Sequence, residues 1–205
     1  MYSDAKITVY TIGHSTHPID RFLDLLVANN VTAVADVRSS PFSRHNPQFN
    51  KDVLRAALFR RKISYVFVGK ELGARSDDPC CYVDGQVQYD RLAETELFKS
   101  GIERVMSGAR KFRVALMCAE KEPLDCHRTL LVSRALESKE ASIVHILSDG
   151  TVEPQAHTMS RLLNMMGLPQ EDMFRSHKDL VDTACKLREQ KIAYVEASHV
   201  GQVNP

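Results

Sequence analysis

Short apolar runs alternate with amphipathic helical patterns along most of the chain. Five runs rich in β-branched and other apolar residues predict strands, at residues 7–12, 31–37, 63–68, 112–119 and 142–147. Apolar residues at helical spacing between these runs predict helices, the first capped by Thr16 and the second beginning at Asn50. Because parallel strands need crossover connections, the alternation predicts an α/β fold: a single domain with a mainly parallel open sheet of about five strands flanked by helices.

Two segments of the predicted core stand out. Residues 69–88 contain several Gly, Asp and Pro residues and the adjacent Cys80 and Cys81, which predicts a long loop. Residues 123–138 predict one helix that begins at Pro123. In the helix that begins at Asn50, the spacing predicts that Val53 and Leu54 face the core.

The C-terminal part of the chain has no further strand pattern. Residues 1–150 are therefore predicted to form the α/β core domain, and residues 151–205 a helical C-terminal extension packed on it. The extension has helical patterns over 157–166 and 178–191. We expect the residues from Ala197 onward to be loosely held.

Composition indicates a globular protein. Of 205 residues, 43% are hydrophobic and 26% are charged, and no apolar run approaches the length that spans a bilayer. The N-terminus lacks a basic segment followed by an apolar one, so we expect a cytoplasmic protein without a membrane partner, its five cysteines reduced. The 27 Lys and Arg residues nearly balance 26 Asp and Glu residues, which argues against nonspecific nucleic-acid binding as the main function.

Polar residues gather at the points where the predicted strands end. In parallel α/β folds these ends form the crevice in which ligands bind. The first strand leads to Gly13, His14 and Ser15, the second to Asp36 and Arg38, and the fourth to Cys118, Glu120, Cys126, His127 and Arg128. The strands themselves are apolar, and this contrast predicts one shared site at that edge of the sheet.

The Cys126-His127-Arg128 triplet is the strongest candidate for chemistry. If a helix begins near Pro123, these residues lie in its first turns, where the helix dipole favours an anion and lowers the pKa of a cysteine. Arg128 adds a planar donor suited to phosphate or carboxylate. In the alternative interpretation, Cys126 packs on the sheet and Arg128 pairs with Asp36 or Glu120. Asp36 and Arg38 likewise form either a ligand-binding pair or a structural one.

Metal binding is less well supported by the sequence than a reactive cysteine at the Cys126-His127-Arg128 triplet. Cys80, Cys81, Cys118, Cys126 and His127 are enough ligands for zinc. However, the sequence has no C-x-x-C pair, and adjacent cysteines do not easily reach one tetrahedral ion. Cys80 and Cys81 are more simply interpreted as surface-loop thiols, and Cys185 as a helix-packing residue. Phosphate-loop, dinucleotide-binding and nucleophile-elbow motifs are also missing from the sequence. We therefore expect no metal and no cofactor.

Several motifs in a fixed order resemble one known family. They are TIGHS at 11–15, ADVRSSPFSR at 35–44, LG at 72–73, the stretch 89–98, and LMCAEKEPLDCHR at 116–128. Together they resemble the DUF488 family, a domain of unknown function, over about three quarters of the chain up to HILSDG at 145–150. The resemblance implies an α/β fold, a family widespread in prokaryotes, and no established reaction. Where the family pattern often has a second glycine after LG, this chain has Ala74.

The family's motif positions coincide with the strand-end residues, and they add two prolines, Pro41 and Pro123. We interpret the site as that of an enzyme acting on an anionic small molecule or nucleotide, a thiol-dependent hydrolase or transferase. The candidate catalytic residues are Cys118, Cys126, His127, His14 and Glu120. The candidate substrate-binding residues are Gly13, Ser15, Asp36, Arg38 and Arg128.

Two other functions remain open. A nucleic-acid-binding module without catalysis would use the basic residues Arg44, Arg55, Arg60, Arg61, Lys62 and Arg75. Rhodanese-like sulfur transfer, with a persulfide on Cys118, is the less favoured alternative because the loop after Cys118 lacks a short glycine-bearing cradle. The sequence does not choose between the two cysteines or fix the oligomeric state.

Overall fold

The computed structural model describes residues 6–196 and contains eight strands and eight α-helices in that range. The strands are β1 (Thr8–Gly13), β2 (Ala33–Asp36), β3 (Ser64–Phe67), β4 (Tyr82–Val83), β5 (Gln86–Val87), β6 (Val114–Cys118), β7 (Ser142–Ile146) and β8 (Val152–Pro154). The helices are α1 (Ile19–Ala28), α2 (Lys51–Arg60), α3 (Gly69–Leu72), α4 (Tyr89–Glu94), α5 (Glu96–Ala109), α6 (Arg134–Glu137), α7 (Gln155–Met165) and α8 (His177–Ile192).

Six strands form the main sheet, in the order β3-β2-β6-β1-β7-β8. Five of them are parallel, and β8 pairs antiparallel with β7 at the edge. The predicted α/β fold with a mainly parallel sheet is therefore confirmed. The sixth strand was not predicted, because its three residues end in Pro154 and carry no apolar run. Of the strands, β1, β2 and β6 are central, and their carboxyl ends lie side by side.

Side chains of the strands alternate between two apolar layers, as the two-residue period of a strand requires. On one face, Ile12 and Met117 pack with Phe22 of α1 and Leu54 of α2. α2 begins after Asn50 as predicted, but Val53 is 53% exposed, so its predicted core position is wrong. Pro18 takes the N-cap position of α1 that was predicted for Thr16.

The second face carries the remaining long helices. Leu116 of β6 packs in one cluster with Phe98 and Ile102 of α5, and with Leu162 of α7 and Leu180 of α8. The C-terminal helices therefore share the apolar core of the sheet. Residues 197–205, which include the segment predicted to be loosely held, lie outside the described residues. The longest helix has 16 residues, and none within 6–196 is both long and apolar enough to cross a membrane.

The predicted long loop at 69–88 is largely ordered secondary structure. It contains α3, a 3₁₀ turn at Pro79–Cys81 and the two-stranded β4–β5 hairpin. Cys80 is exposed, as expected of a surface thiol, but Cys81 is 1% exposed and belongs to the core. The loop prediction was wrong because elements of two to four residues are too short to leave a periodic pattern.

The predicted continuous helix over 123–138 is interrupted. Pro123–Asp125 form a 3₁₀ turn, Cys126 is extended (φ −136°, ψ 137°), and a π-helical segment at Arg128–Ser133 continues into α6. Cys126 therefore directly precedes the helical run that begins at His127: its carbonyl accepts the backbone N–H groups of Thr129 and Leu130, and its Sγ accepts that of Arg128 at 3.4 Å. The helix begins four residues later than predicted, with Cys126 at its N-terminal end. The break coincides with contacts that draw the side chains of Cys126 and Arg128 toward the residues after β6.

Candidate functional site

The ends of β1 and β6 are joined residue by residue beyond the strands. Gly13 pairs with Cys118, the backbone N–H of His14 donates to Cys118 O at 2.8 Å, and that of Ser15 donates to Ala119 O at 2.9 Å. A Cβ atom on Gly13 would lie 1.9 Å from the backbone oxygen of Glu120. Glycine is therefore required here, because it lets the chain after β6 approach the end of β1.

His14, Asp36 and Arg38 form a buried group that we call the arginine network. Arg38 Nε and Nη2 donate to the two carboxylate oxygens of Asp36 at 2.9 and 2.7 Å, and Nη2 also donates to Phe49 O at 2.8 Å. The hydroxyl of Tyr65 donates to Asp36 Oδ2 at 2.8 Å. The network fixes the start of the loop after β2, and Asp36 has no exposed surface.

The ring of His14 completes this network. Its Nδ1 lies 2.8 Å from Ser15 O, and since a carbonyl oxygen only accepts, Nδ1 carries the proton. Nε2 is then the acceptor for Arg38 Nη1 at 3.2 Å. Burial, with the nearby Arg38 charge adding to it, lowers the pKa of His14 from its usual 6.5 to about 4. The imidazole is thus neutral, and both of its nitrogens are bonded within the protein.

Cys118, Glu120, Cys126 and His127 form a second group, which we call the cysteine cluster. One ligand atom from each lies within 4.8 Å of the other three. His127 Nδ1 is 3.8 Å from Cys118 Sγ and 3.9 Å from Cys126 Sγ, and Cys126 Sγ is 3.0 Å from Glu120 Oε2. Both thiols are buried, at 3% and 1% exposure, whereas Glu120 is exposed.

The surroundings lower the pKa of one cluster residue and raise the pKa values of the other three. Burial opposes ionisation of Cys126, but its contacts with Cys118, Arg128 and His127 outweigh that cost and hold the pKa of Cys126 well below its usual value. Burial and the adjacent Cys126 raise the pKa of Cys118 and also that of Glu120. Contact with Cys126 raises the pKa of His127 against the effect of burial. Of the two thiols, Cys126 is therefore the one whose ionisation the surrounding groups favour.

Arg128 positions the backbone next to the cysteine cluster. Its side chain has no exposed surface and donates to Glu120 O at 2.7 Å, to Lys121 O at 3.4 Å and to Thr11 Oγ1 at 3.4 Å. Thr11 in turn bonds His145 Nδ1 at 2.7 Å, and His145 Nε2 bonds an oxygen of Gln155 at 2.5 Å. The guanidinium expected to bind a substrate anion is thus occupied by protein oxygens and positions the residues after β6.

A polar cavity of about 420 Å³ opens over the cysteine cluster. Cys118, Glu120 and His127 line it together with Arg38, Arg75 and Tyr89. Ser39, Ser40, Ala74 and Tyr194 also line it. The ten predicted site residues therefore lie at one edge of the sheet. Seven of them form the arginine network and the cysteine cluster, and only part of each group faces the cavity.

Several contributors were not predicted. Arg75 was assigned to a basic face, but its guanidinium lies 4.4 Å from the ring centroid of Tyr194 in the cavity wall. Tyr65 is the second residue of β3 and Tyr89 is the first residue of α4, and no local pattern marks either as part of a site. Another basic residue of that predicted face, Arg61, pairs with Asp24 at 3.3 Å.

A second, larger cavity of about 560 Å³ lies between α4, α5, α6 and α8. Phe98, Ile102, Leu130 and Leu131 supply apolar walls, and charged residues such as Lys99 and Asp182 form its edge. Tyr89 lines both cavities. Cys185, on α8, packs 3.9 Å from Met159 Sδ, in agreement with the helix-packing position expected for it.

Comparison with known proteins identifies the family and nothing narrower. No curated protein and no solved structure matches the chain. The family model described as domain of unknown function DUF488 matches residues 18–135, more than half of the chain. The match includes both Asp36 and Arg38 and every residue of the cysteine cluster, whereas TIGHS at 11–15 precedes it. The chain therefore belongs to the DUF488 family.

Proposed function

We propose that this protein is an enzyme that acts on an anionic, phosphate- or nucleotide-like substrate bound in the polar cavity. The observation that supports it most is that Cys118, Glu120 and His127 line the same cavity as Arg38 and Arg75. Its volume of about 420 Å³ suits a small molecule. Reactive groups and cationic donors thus line one open cavity, as hydrolysis or group transfer at an anionic centre requires.

Arg75 is the residue we assign to the substrate's anionic group. It is exposed, and within residues 6–196 it has no carboxylate partner, so its donors are not consumed by an ion pair. Stacking on Tyr194 holds the guanidinium in the cavity wall. A planar guanidinium offers paired N–H donors to a phosphate or carboxylate.

Ser39 and Arg38 extend this binding surface. The oxygen of Ser39 accepts the backbone N–H of Arg75 at 3.1 Å, so its own hydroxyl hydrogen remains available to a ligand. Four of the five N–H donors of Arg38 are used within the arginine network, which leaves one on Nη1. Arg38 therefore adds a fixed positive charge with a single available donor.

Sulfur transfer is less well supported. A persulfide on Cys118 would need surrounding N–H donors, whereas the backbone N–H of Arg128 donates to Cys126 Sγ at 3.4 Å. Thiosulfate treatment followed by mass spectrometry of Cys118 tests this alternative directly.

The experiment is a binding and turnover assay on the full chain. Calorimetry with inorganic phosphate and a nucleoside monophosphate should show binding, and Arg75→Ala should weaken it by about 10-fold or more, the effect of one charge-assisted bond. Arg55→Ala, which removes an exposed arginine from α2 outside this cavity, is the matched control. Among phosphomonoesters, phosphodiesters and carboxylic esters, a substrate that is turned over should no longer be turned over by Cys118→Ser.

Two results would overturn the proposal. One is that none of these anions binds and no ester is turned over. The other is that Arg75→Ala and Arg55→Ala weaken binding equally, which would favour the nucleic-acid alternative if a single-stranded oligonucleotide then binds with strong salt dependence.

A further inference from the structure

We propose that the cysteine cluster binds one Zn²⁺ ion, with Cys118, Cys126 and His127 as permanent ligands and Glu120 as an exchangeable fourth. The site itself does not depend on the proposed function, although its catalytic role does. Cys and His are ligands typical of zinc, and a catalytic zinc commonly keeps three protein ligands and one open position.

The first support is the distance between ligand atoms. With Zn–S bonds of about 2.3 Å and Zn–N bonds of about 2.0 Å, sulfur and nitrogen ligands of a tetrahedral ion lie about 3.5 Å apart. His127 Nδ1 is 3.8 Å from one sulfur and 3.9 Å from the other. All four ligand atoms lie within 4.8 Å of one another, so a small movement of side chains accommodates the ion.

The second support is the orientation of His127. Its Nε2 lies 3.1 Å from Val37 O, a carbonyl that only accepts, so Nε2 carries the proton and Nδ1 presents its lone pair to the sulfurs. Metal-binding histidines characteristically donate their other N–H to a backbone carbonyl or carboxylate in this way. The backbone N–H of Arg128 also donates to Cys126 Sγ at 3.4 Å, which stabilises a thiolate.

The third support is that a bound metal ion accounts for the presence of both cysteines. Nucleophilic catalysis needs one thiolate and one base, and it does not explain why a second sulfur lies equally near the same nitrogen. Two thiolates balance the charge of Zn²⁺. Glu120 then adds one negative charge. The positive charge of Arg128 offsets it, because within 6–196 every side-chain contact of Arg128 is to a neutral oxygen and none neutralises it.

The ligand types favour zinc over harder ions. Thiolate and imidazole select Zn²⁺ among the common divalent metals, whereas Mg²⁺ and Ca²⁺ prefer oxygen ligands. Three of the ligands are buried and Glu120 is exposed in the cavity wall, so the position most easily vacated faces the proposed substrate. Zinc bound there would place a Lewis acid next to the anion held by Arg75.

Direct metal analysis of the full chain tests the inference. The protein purified under reducing conditions should contain one zinc per chain. After chelation, Co²⁺ titration should produce thiolate-to-cobalt charge-transfer absorption that one equivalent of Zn²⁺ removes. Alkylation of Cys118 and Cys126 should slow when Zn²⁺ is present, a readout that needs no variant.

Variants separate the ligands from other cysteines. Cys118→Ser and Cys126→Ser should each lower Zn²⁺ affinity by more than about 100-fold, the upper range for loss of an outer-shell partner. Glu120→Gln should keep one zinc per chain with affinity about 10-fold lower. Cys185→Ala is the matched control, since it removes an equally buried thiol of α8 and should retain wild-type affinity.

The inference is wrong if the reduced wild-type chain binds neither Zn²⁺ nor Co²⁺, or if Cys118→Ser binds zinc as tightly as Cys185→Ala. A Cys118–Cys126 disulfide that persists under reducing conditions would also overturn it. Failure of the proposed function is distinguishable, because Arg75→Ala should weaken phosphate binding and leave one zinc per chain. Conversely, a chain that binds phosphate through Arg75 but binds neither Zn²⁺ nor Co²⁺ would refute the zinc site alone.

Discussion

The arginine network and the cysteine cluster lie at the same edge of the sheet, yet their polar atoms are used in opposite ways. In the arginine network, the donors of Arg38 meet the carboxylate of Asp36, a carbonyl and His14, and the network closes on itself. In the cysteine cluster, two thiols, one ring nitrogen and the Glu120 carboxylate lie close to one another, and only the thiol hydrogens can act as donors between them. The first arrangement leaves a single Arg38 donor for a ligand, whereas the second brings together four ligand atoms of the kinds that bind a metal cation.

The contrast separates structural from functional residues. Buried polar groups that bond to each other fix the backbone, and removing one of them leaves its partner buried without a hydrogen bond or counter-charge. Buried acceptors that converge with too few donors between them cost stability unless a cation binds. Residue type and position at a strand end are therefore insufficient to assign a role, and the pairing of each atom is needed.

Breaking the arginine network should have the largest effect on stability. Asp36→Ala leaves Arg38 buried without its carboxylate, and we expect the free energy of unfolding to fall by about 3–5 kcal/mol. Urea denaturation measures the loss. Arg61→Ala, which breaks an exposed ion pair with Asp24, should cost less than about 1 kcal/mol. Equal effects of the two substitutions would show that the network is not structural.

The polar chain behind the cysteine cluster should make the fold sensitive to acid. Burial is the main cause that lowers the pKa of His145 from 6.5 to about 4. Between these values the unfolded chain binds a proton that the folded chain excludes. Stability should therefore fall as pH drops from about 6.5 to about 4, by about 3 kcal/mol from this residue, and then level off.

Denaturation across that pH range checks the His145 prediction. His145→Asn should reduce the slope without abolishing it, because the pKa of His14 is lowered over the same range. His157→Asn, at an exposed position of α7, should leave the slope unchanged. A wild-type slope that persists in His145→Asn would assign the acid sensitivity to other groups.

Gly13→Ala should disturb both groups at once. The added Cβ would overlap the backbone oxygen of Glu120, and we expect a cost of about 1–3 kcal/mol. Displacement of Glu120 should also lower zinc affinity, an effect that the arginine-network variants lack. Gly108→Ala, in α5 with its nearest atom 4.0 Å away, should instead stabilise the protein by about 0.5–1 kcal/mol. Calorimetry and zinc titration of both variants test this difference.

Tyr65→Phe should have the smallest effect. It removes one hydroxyl bond to Asp36 but leaves the ion pair with Arg38, so we expect a loss of about 1 kcal/mol and unchanged zinc stoichiometry. Tyr82→Phe, which loses a bond to the neutral Ser76 oxygen, should cost less. A larger loss for Tyr82→Phe in urea denaturation would contradict the role assigned to the Asp36 charge.

The sequence predicted the main fold because its signals are local. Apolar runs and helical spacing located five parallel strands and most long helices. Elements that depend on distant partners were missed: β8 forms against β7, and Cys81 becomes buried through contacts with the core. The interruption at Cys126 was missed for the same reason, since Arg128 reaches Thr11 across more than a hundred residues of chain.

The sequence predicted which residues gather at the site, but it did not predict which of their atoms bond to one another. The rule that ligands bind at strand ends located His14, Asp36, Arg38 and the cluster residues together. It could not show that His14 bonds Arg38, or that His127 approaches both cysteines. The search for C-x-x-C spacing also missed the cluster, because its ligands at 118, 120, 126 and 127 meet through the interrupted helix.

The π-helical segment Arg128–Ser133 limits how this part of the chain can vary in length. Each of its hydrogen bonds spans five residues instead of four. Deleting one residue would restore α-helical winding. Because successive helical residues point about 100° apart, the deletion would turn one end of the segment relative to the other. Either Arg128 would lose its contact with Thr11 or Leu136 would lose its place in the core. Alignments of DUF488 proteins should therefore show substitutions between His127 and Leu136 but neither gaps nor insertions.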